Sequence, residues 1–116
     1  MNSIPKTVAA VTDHLRRNTQ SIMGDKLRKM ILYGSYARGD YKDYSDLDIM
    51  ILADVSDNEQ KAFENQIHTF ASDIGLEHDI IISVIINNES LFMSRLHISP
   101  FYRNVLLEGV ELYAAH

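Results

Sequence analysis

Residues 34–52 read GSYARGDYKDYSDLDIMIL. Ten residues separate the Gly34-Ser35 pair from Asp46-Leu47-Asp48, which runs directly into an apolar segment. Two carboxylates at alternate positions of an extended chain project to the same face. Because such close like charges repel unless a cation lies between them, Asp46 and Asp48 predict a divalent-metal site. The N–H groups of a Gly-Ser turn can bind phosphate oxygens, so the segment predicts a site for Mg²⁺ and a nucleotide.

The length of the chain predicts one domain over residues 1–116. The order of the helices and strands predicted below indicates an α/β (α+β) fold with a small mixed sheet flanked by helices. The chain has no cysteine, which excludes disulfides and thiolate metal sites and permits a reducing compartment. No basic segment followed by an apolar run opens the sequence, so a cytoplasmic protein is expected. Sixteen acidic against eleven basic residues give a net charge of −5, which disfavours a nucleic-acid substrate.

Hydrophobic periodicity and turn residues predict the secondary structure. Ser3 is a plausible N-cap of the first helix, Gly24 ends that helix, Ser56 and Glu59 form a capping box, and Gly75 ends the second long helix. The predicted elements are a helix over about 4–22, a strand over 27–33, a loop over 34–45 with at most one helical turn, a strand over 46–53, a helix over 57–74, a strand over 80–86, helices over 89–98 and 101–108, and an edge strand over 110–113.

Connection lengths predict how the strands are arranged. The loop over 34–45 is too short for a helical crossover, so the first two strands should be antiparallel. The helix over 57–74 is a crossover that makes the second and third strands parallel. The start of the third strand, at Glu77-His78-Asp79, should then lie at the same edge of the sheet as Gly34 and Asp46. A third acid, Asp79 or Glu77, is therefore expected near the pair.

The spacing Gly-Ser, ten residues, Asp-x-Asp resembles the nucleotidyltransferases related to DNA polymerase β. Within that superfamily the chain is similar to the minimal nucleotidyltransferases, which are encoded beside helical HEPN partners. The resemblance extends from about residue 27 to Tyr113, and its matching positions are Gly34, Ser35, Arg38, Gly39, Ser45, Asp46 and Asp48.

The resemblance implies a role for each site residue. Asp46, Asp48 and Asp79 would be catalytic and would bind two Mg²⁺ ions, with Glu77 as the alternative third carboxylate. Asp79 could also act as the general base. The nucleotide-binding set would comprise Gly34, Ser35 and Arg38.

Several side chains near this segment keep more than one interpretation. Arg38 could bind the triphosphate or pair with Asp40 or Asp43. Tyrosines in the loop could flank a base or ribose, or lie at the surface without a ligand; they are Tyr36, Tyr41 and Tyr44. The histidines show no metal-ligand spacing, and the chain has neither a P-loop nor a Gly-x-Ser-x-Gly elbow.

Three functions from different classes are compatible with this site. The first, implied by the resemblance, is an antitoxin that transfers AMP from ATP to a tyrosine of a HEPN toxin. The second is an adenylyltransferase for a small molecule such as an aminoglycoside. The third is a module that masks a toxin without chemistry. An intact set of acids favours the first two, because masking alone does not require those carboxylates.

Overall fold

The computed structural model describes residues 4–115 of the chain. These residues form four strands and five α-helices, with a 3₁₀ turn after the first helix. In chain order they are α1 (Lys6–Met23), the 3₁₀ turn (Gly24–Lys26), β1 (Leu27–Tyr33), α2 (Ser35–Arg38), β2 (Leu47–Ala53), α3 (Asp57–His78), β3 (Ile82–Asn88), α4 (Glu89–Ser94), α5 (Pro100–Glu108) and β4 (Val110–Ala114).

The strands form one mixed sheet in the order β3-β2-β1-β4. β1 pairs antiparallel with both β2 and β4, and β2 pairs parallel with β3. The predicted mixed α/β fold and both predicted strand directions are confirmed. The reason is the one that the connections suggest, a short loop between β1 and β2 and a helical crossover between β2 and β3.

Helices cover the two faces of the sheet unequally. Alternate residues of β2 and its neighbours pack against α1 and α3 and form the main core, whose β2 members are Leu47, Ile49, Ile51 and Ala53. On the opposite face, α4 and α5 cover a smaller buried cluster of Ile31, Met50, Leu52, Phe92 and Val105. The side of the sheet with the main core is the α1/α3 face, and the opposite side is the α4/α5 face.

Several predicted boundaries are confirmed. β1 spans the predicted residues, and the loop after it contains one helical turn, α2. Gly24 caps α1 with φ +55°, a region that glycine adopts without a Cβ penalty. Both halves of the capping box at Ser56 and Glu59 are formed. The proposed N-cap Ser3 lies outside the described residues.

The predicted end of α3 and start of β3 are wrong. α3 continues through Gly75 to His78, and Asp79 caps it in the left-handed conformation, so β3 begins only at Ile82. Gly75 is required for a close approach rather than for chain termination, because an added Cβ would lie 2.4 Å from the carbonyl oxygen of Ile80. Asp79 is therefore at a helix end and not, as predicted, at the start of a strand.

Smaller differences occur elsewhere. β2 begins at Leu47, which leaves Asp46 in the loop, and α4 ends at Ser94, before turns that lead to α5. Val110–Ala114 forms the predicted edge strand. Within residues 4–115 no helix is long and apolar enough to cross a membrane.

Candidate active site

One edge of the sheet gathers the candidate residues. The carboxyl end of β1 and the amino ends of β2, β3 and β4 meet there, because β1 alone runs in the opposite direction. The strand register pairs Tyr33 and Ser83 with Asp48, one from each side. Residues that pair across a sheet share a face, so these three side chains belong to the α4/α5 face.

Gly34 lies directly against the carboxylate of Asp48. A Cβ added to Gly34 would be 2.4 Å from Asp48 Oδ2, and the φ of Gly34 is +78°. Both facts require glycine at position 34: the backbone conformation disfavours other residues, and no side chain fits beside the carboxylate. The Gly-Ser turn and the Asp-x-Asp segment, which the sequence separates by ten residues, are thus in contact.

Asp48 is half-buried, and its surroundings disfavour the charged form. Burial raises its pKa, the charge of Asp46 raises it further, and the charge of Arg38 opposes both. Tyr33 is affected in the same way: burial, together with the nearby charge of Asp48, raises its pKa to about 12. Asp46 and Asp48 therefore repel each other at this edge, and a cation there would relieve the repulsion.

Asp46 and Asp48 fit the requirements of a magnesium site. Mg²⁺ in nucleotide enzymes is held by one or two carboxylates together with substrate phosphates. The exposed Asp46 and the half-buried Asp48 supply those carboxylates. No third acid joins them, because no group of three or more His, Cys, Asp or Glu side chains in residues 4–115 is placed to hold a metal.

Neither candidate third carboxylate lies on β3. Glu77 is in the last turn of α3 and Asp79 is its C-cap, and both are exposed. The helix continues past Gly75, so Asp79 reaches this edge from the end of α3 and not from the start of a strand. The catalytic role of Asp79 stays a prediction.

Arg38 is held by two acids. Its Nε lies 3.2 Å from Asp40 Oδ2, and its Nη1 lies 3.5 Å from Glu108 Oε2 at the end of α5. Of the two carboxylates that the sequence suggested, Asp40 is the partner found. Through the contact with Glu108, the end of α5 lies beside the Gly-Ser turn.

Two cavities open at this edge of the sheet. One, of about 820 Å³, is lined by residues that include Asp46, Asp79, Tyr36 and Tyr41. The other, of about 370 Å³, lies between the Gly-Ser turn and α5 and is lined by Tyr33, Gly34, Arg38, Phe101, Asn104, Val105 and Glu108. Asp46 thus borders the larger cavity and Gly34 the smaller one.

The loop tyrosines differ in their environment. Tyr36 is buried and stacks on Tyr41, with ring centroids 4.5 Å apart, so both belong to the core around α1 and α3. Tyr44 is 84% exposed. His78 is exposed at the end of α3. Of the three tyrosines, only Tyr44 has its whole ring available at the surface.

Sequence reasoning missed three neighbours of the site. Tyr33 could have been found by counting back from the turn, because an antiparallel pair aligns the end of one strand with the start of the next. The placement of Ser83 depends on a parallel register, and the contact of Glu108 with Arg38 joins residues 70 positions apart. No local pattern signals either of them.

Comparisons with known proteins identify the class. Residues 15–111 match the nucleotidyltransferase domain family, and the chain belongs to that family. It is a nucleotidyltransferase. It is 41% identical over 88 residues to the protein named "Putative protein adenylyltransferase MJ0604" of Methanocaldococcus jannaschii, covering 76% of this chain and 80% of that protein. A second protein of that organism, "Putative protein adenylyltransferase MJ0141", is 36% identical over 84 residues, covering 72% and 83%.

Solved structures share the fold. A mutant of the toxin–antitoxin MntA–HpeT superposes with a TM-score of 0.54 at 16% identity, over 90% of this chain and 74% of the other. A toxin–antitoxin structure with AMP-PNP gives 0.53 at 18% identity over the same shares. These likenesses confirm the nucleotidyltransferase fold that residues 34–52 predict.

Proposed function

We propose that this chain transfers AMP from ATP to a hydroxyl of a partner protein, and that the partner is a HEPN-type toxin modified on a tyrosine. The contact of Gly34 with Asp48 carries the catalytic half of the proposal, because it joins the turn that would bind phosphate to a carboxylate that would bind the metal. The protein acceptor is supported by the names of the relatives, which call them protein adenylyltransferases.

The proposed reaction is an in-line displacement at the α-phosphorus. The acceptor oxygen forms a bond to that phosphorus, the bond to the bridging α–β oxygen breaks, and pyrophosphate leaves. Asp79 would accept the hydroxyl proton, since it lines the cavity that Asp46 also borders. Gly34 and Ser35 would bind the outer phosphates through the turn and the serine hydroxyl.

Arg38 would compensate triphosphate charge from the neighbouring cavity. It borders that cavity together with Gly34. Its contacts with Asp40 and Glu108 are on exposed side chains, and such pairs contribute little free energy. Phosphate oxygens can therefore compete with these carboxylates for the guanidinium group.

Mg²⁺ would be held by Asp46 and Asp48 and would neutralise charge on the phosphate oxygens. The mutual repulsion of these two carboxylates supports this assignment. The pKa of Asp48 is raised by burial and by Asp46, which is the arrangement that a bound cation stabilises.

Apolar side chains beside the site suit a protein acceptor better than a small polar one. Ile81 is 69% exposed, Phe101 45% and Ile85 37%. Ile85 lies on the α4/α5 face two residues beyond Ser83, and Phe101 borders the smaller cavity. Burial of such side chains against a partner would bring its hydroxyl to the edge that carries Asp46.

The decisive experiment mixes the protein with its genomic neighbour, ATP and Mg²⁺. Intact-mass spectrometry should show one or more adenylyl groups on the partner, and none with Asp46→Asn. An unchanged partner mass, together with silencing of the toxin by wild type and Asp46→Asn alike, would leave masking as the function. Transfer to an aminoglycoside instead would support the small-molecule alternative.

Two matched variants test the general base. Asp79→Asn should lower transfer by about 10²–10⁴-fold, the usual contribution of a positioned base, whereas Glu77→Gln should retain most of it. Both side chains are exposed at the end of α3, so neither change should alter folding. The reverse pattern would assign the base to Glu77.

A further inference from the structure

The strand next to the two aspartates carries a serine where a third acid would have to stand. Asp48 pairs with Ser83 in the parallel register of β2 and β3. Adjacent strands are about 4.8 Å apart, so the side chain at position 83 is the one on β3 that can share a ligand with Asp48. Position 83 is half-buried and belongs to the α4/α5 face.

The neighbouring positions on that face of β3 offer no acid either. Ile85 pairs with Met50, beyond Asp48 along the strand. Ile81 precedes β3, and its carbonyl accepts a hydrogen bond from the N–H of Leu47. The whole face that β3 presents beside Asp46 and Asp48 is therefore neutral.

Asp79 does not replace the missing strand carboxylate. It precedes β3 by three residues and lies at the end of α3, with φ +54° and an exposed side chain. No grouping of three potential ligands exists in the part of the chain that the structure describes. A second ion in a two-metal site lies about 3.5–4 Å from the first. Without a third carboxylate, only groups that already bind the first ion would compensate its charge.

We propose that the site binds one divalent ion, through Asp46 and Asp48, and that Ser83 occupies the position from which a third carboxylate would bind a second. The inference rests on the proposed function and specifies its metal requirement. A serine hydroxyl can donate a hydrogen bond to Asp48 or to a phosphate oxygen, but it supplies no negative charge to compensate another divalent cation. The side chain of Ser83 makes no hydrogen bond within residues 4–115, so it has this capacity available.

Counting bound Mn²⁺ tests the proposal without reference to transfer. The protein is saturated with AMP-PNP and titrated with Mn²⁺, and the bound ion is measured by electron paramagnetic resonance and calorimetry. We expect one tightly bound ion per wild-type chain and two in Ser83→Asp. An Asp46→Asn/Asp48→Asn variant corrects for Mn²⁺ bound elsewhere on this acidic protein.

Three variants serve as controls. Ser83→Asn has nearly the same size as Ser83→Asp without its charge, and Ile85→Asp introduces the same charge one pairing step away. Each should retain one ion. Asp79→Asn should also retain one, because Asp79 is proposed as a base and not as a ligand.

Thermal unfolding gives a second measurement. Without metal, Ser83→Asp should melt below Ser83→Asn, because a third carboxylate then repels Asp48, and saturating Mn²⁺ should reverse the difference. If Ser83→Asp does not fold without metal, the number of Mn²⁺ ions bound by the wild type and by Asp79→Asn still tests the proposal.

Two ions in the wild type would overturn the proposal, and a fall to one in Asp79→Asn would identify Asp79 as the missing ligand. A folded Ser83→Asp with one ion would overturn the role given to position 83. Absence of transfer to the partner, with one ion bound, would instead contradict the proposed function and leave this inference intact.

Discussion

The two faces of the sheet are built from the same strands but are covered to different degrees. On the α1/α3 face, every inward residue of β2 is fully buried. On the α4/α5 face, burial is complete only around Met50 and Leu52, and the strand end that carries Asp48 is half-open. Alternate residues of one strand thus serve different purposes: one set supplies the stability that allows the other to hold close like charges at an open edge.

Among the substitutions that compare the two faces, replacement of Asp48 should have the largest effect. Asp48→Asn should lower the rate of nucleotidyl transfer by about 10³-fold or more. The reason is that charge stabilisation by the metal lowers the activation barrier by several kcal/mol, and this variant would lose it. The same change should keep or raise Tm, since the fold raises the pKa of Asp48 and thus disfavours its charged form at neutral pH. Radiolabelled AMP transfer and calorimetric melting measure both. A large fall in Tm would show that Asp48 is structural.

Ile49, the next residue along β2, should contribute to stability, unlike Asp48. Ile49→Ala removes a fully buried side chain from the α1/α3 face and should cost about 2–5 kcal/mol of unfolding free energy. Ile85→Ala, on the half-covered α4/α5 face, should cost less than about 1.5 kcal/mol because that side chain is 37% exposed. Urea denaturation of both variants provides the comparison. Equal costs would mean that the two faces do not differ as described.

A comparison of Gly24 with Gly34 distinguishes the effect of backbone strain from the effect of the contact with Asp48. Gly24 and Gly34 both have positive φ, but an added Cβ meets nothing within 4 Å at Gly24 and Asp48 Oδ2 at 2.4 Å at Gly34. Gly24→Ala should therefore show only a backbone cost of about 1–3 kcal/mol and should bind nucleotide normally. Gly34→Ala should lose at least as much stability and also weaken metal-dependent ATP binding, as measured by calorimetry. Unaltered ATP affinity in Gly34→Ala would show that the Gly-Ser turn does not contribute to nucleotide binding.

The smallest effect concerns the capping box of α3, far from the edge of the sheet that carries Asp46 and Asp48. The hydrogen bond from Lys26, assisted by the backbone N–H of Ser56, lowers the pKa of Glu59 to about 2 from the ordinary 4.5. A lowered folded-state pKa contributes stability above about pH 4.5 that is lost as the pH falls towards 2. The Tm of the wild type should thus fall more than that of Glu59→Gln between pH 5 and 2, and high salt should reduce the difference because both side chains are exposed. Parallel pH profiles would contradict this.

Local patterns were sufficient for most elements but not for the end of α3. The capping box at Ser56 and the glycine at position 24 mark helix ends correctly, because each satisfies backbone groups of its own helix. The helix end predicted at Gly75 was wrong, because glycine can either end a helix or leave space for an approaching backbone. The sequence does not distinguish these uses, since the atom that needs the space, the carbonyl oxygen of Ile80, comes close only when β3 returns to the sheet.

The same distinction applies to the site. The contact of Gly34 with Asp48 could be expected from the sequence, because a short antiparallel connection brings the end of β1 beside the start of β2. The place of Asp79 could not be predicted, because a shift of two residues in the start of β3 moves it from the start of a strand to the end of a helix.

The sequence by itself determined the mixed α/β architecture of this protein, because periodicity and short connections are encoded directly in the chain. The spacing of its Gly-Ser turn and Asp-x-Asp pair carries the resemblance to the nucleotidyltransferases. Only the tertiary structure decided what stands beside the pair, namely Tyr33 on one side, Ser83 on the other, and Glu108 against Arg38. The register of β3 and the docking of α5 follow from how the whole core packs, and no single segment of the chain contains that information.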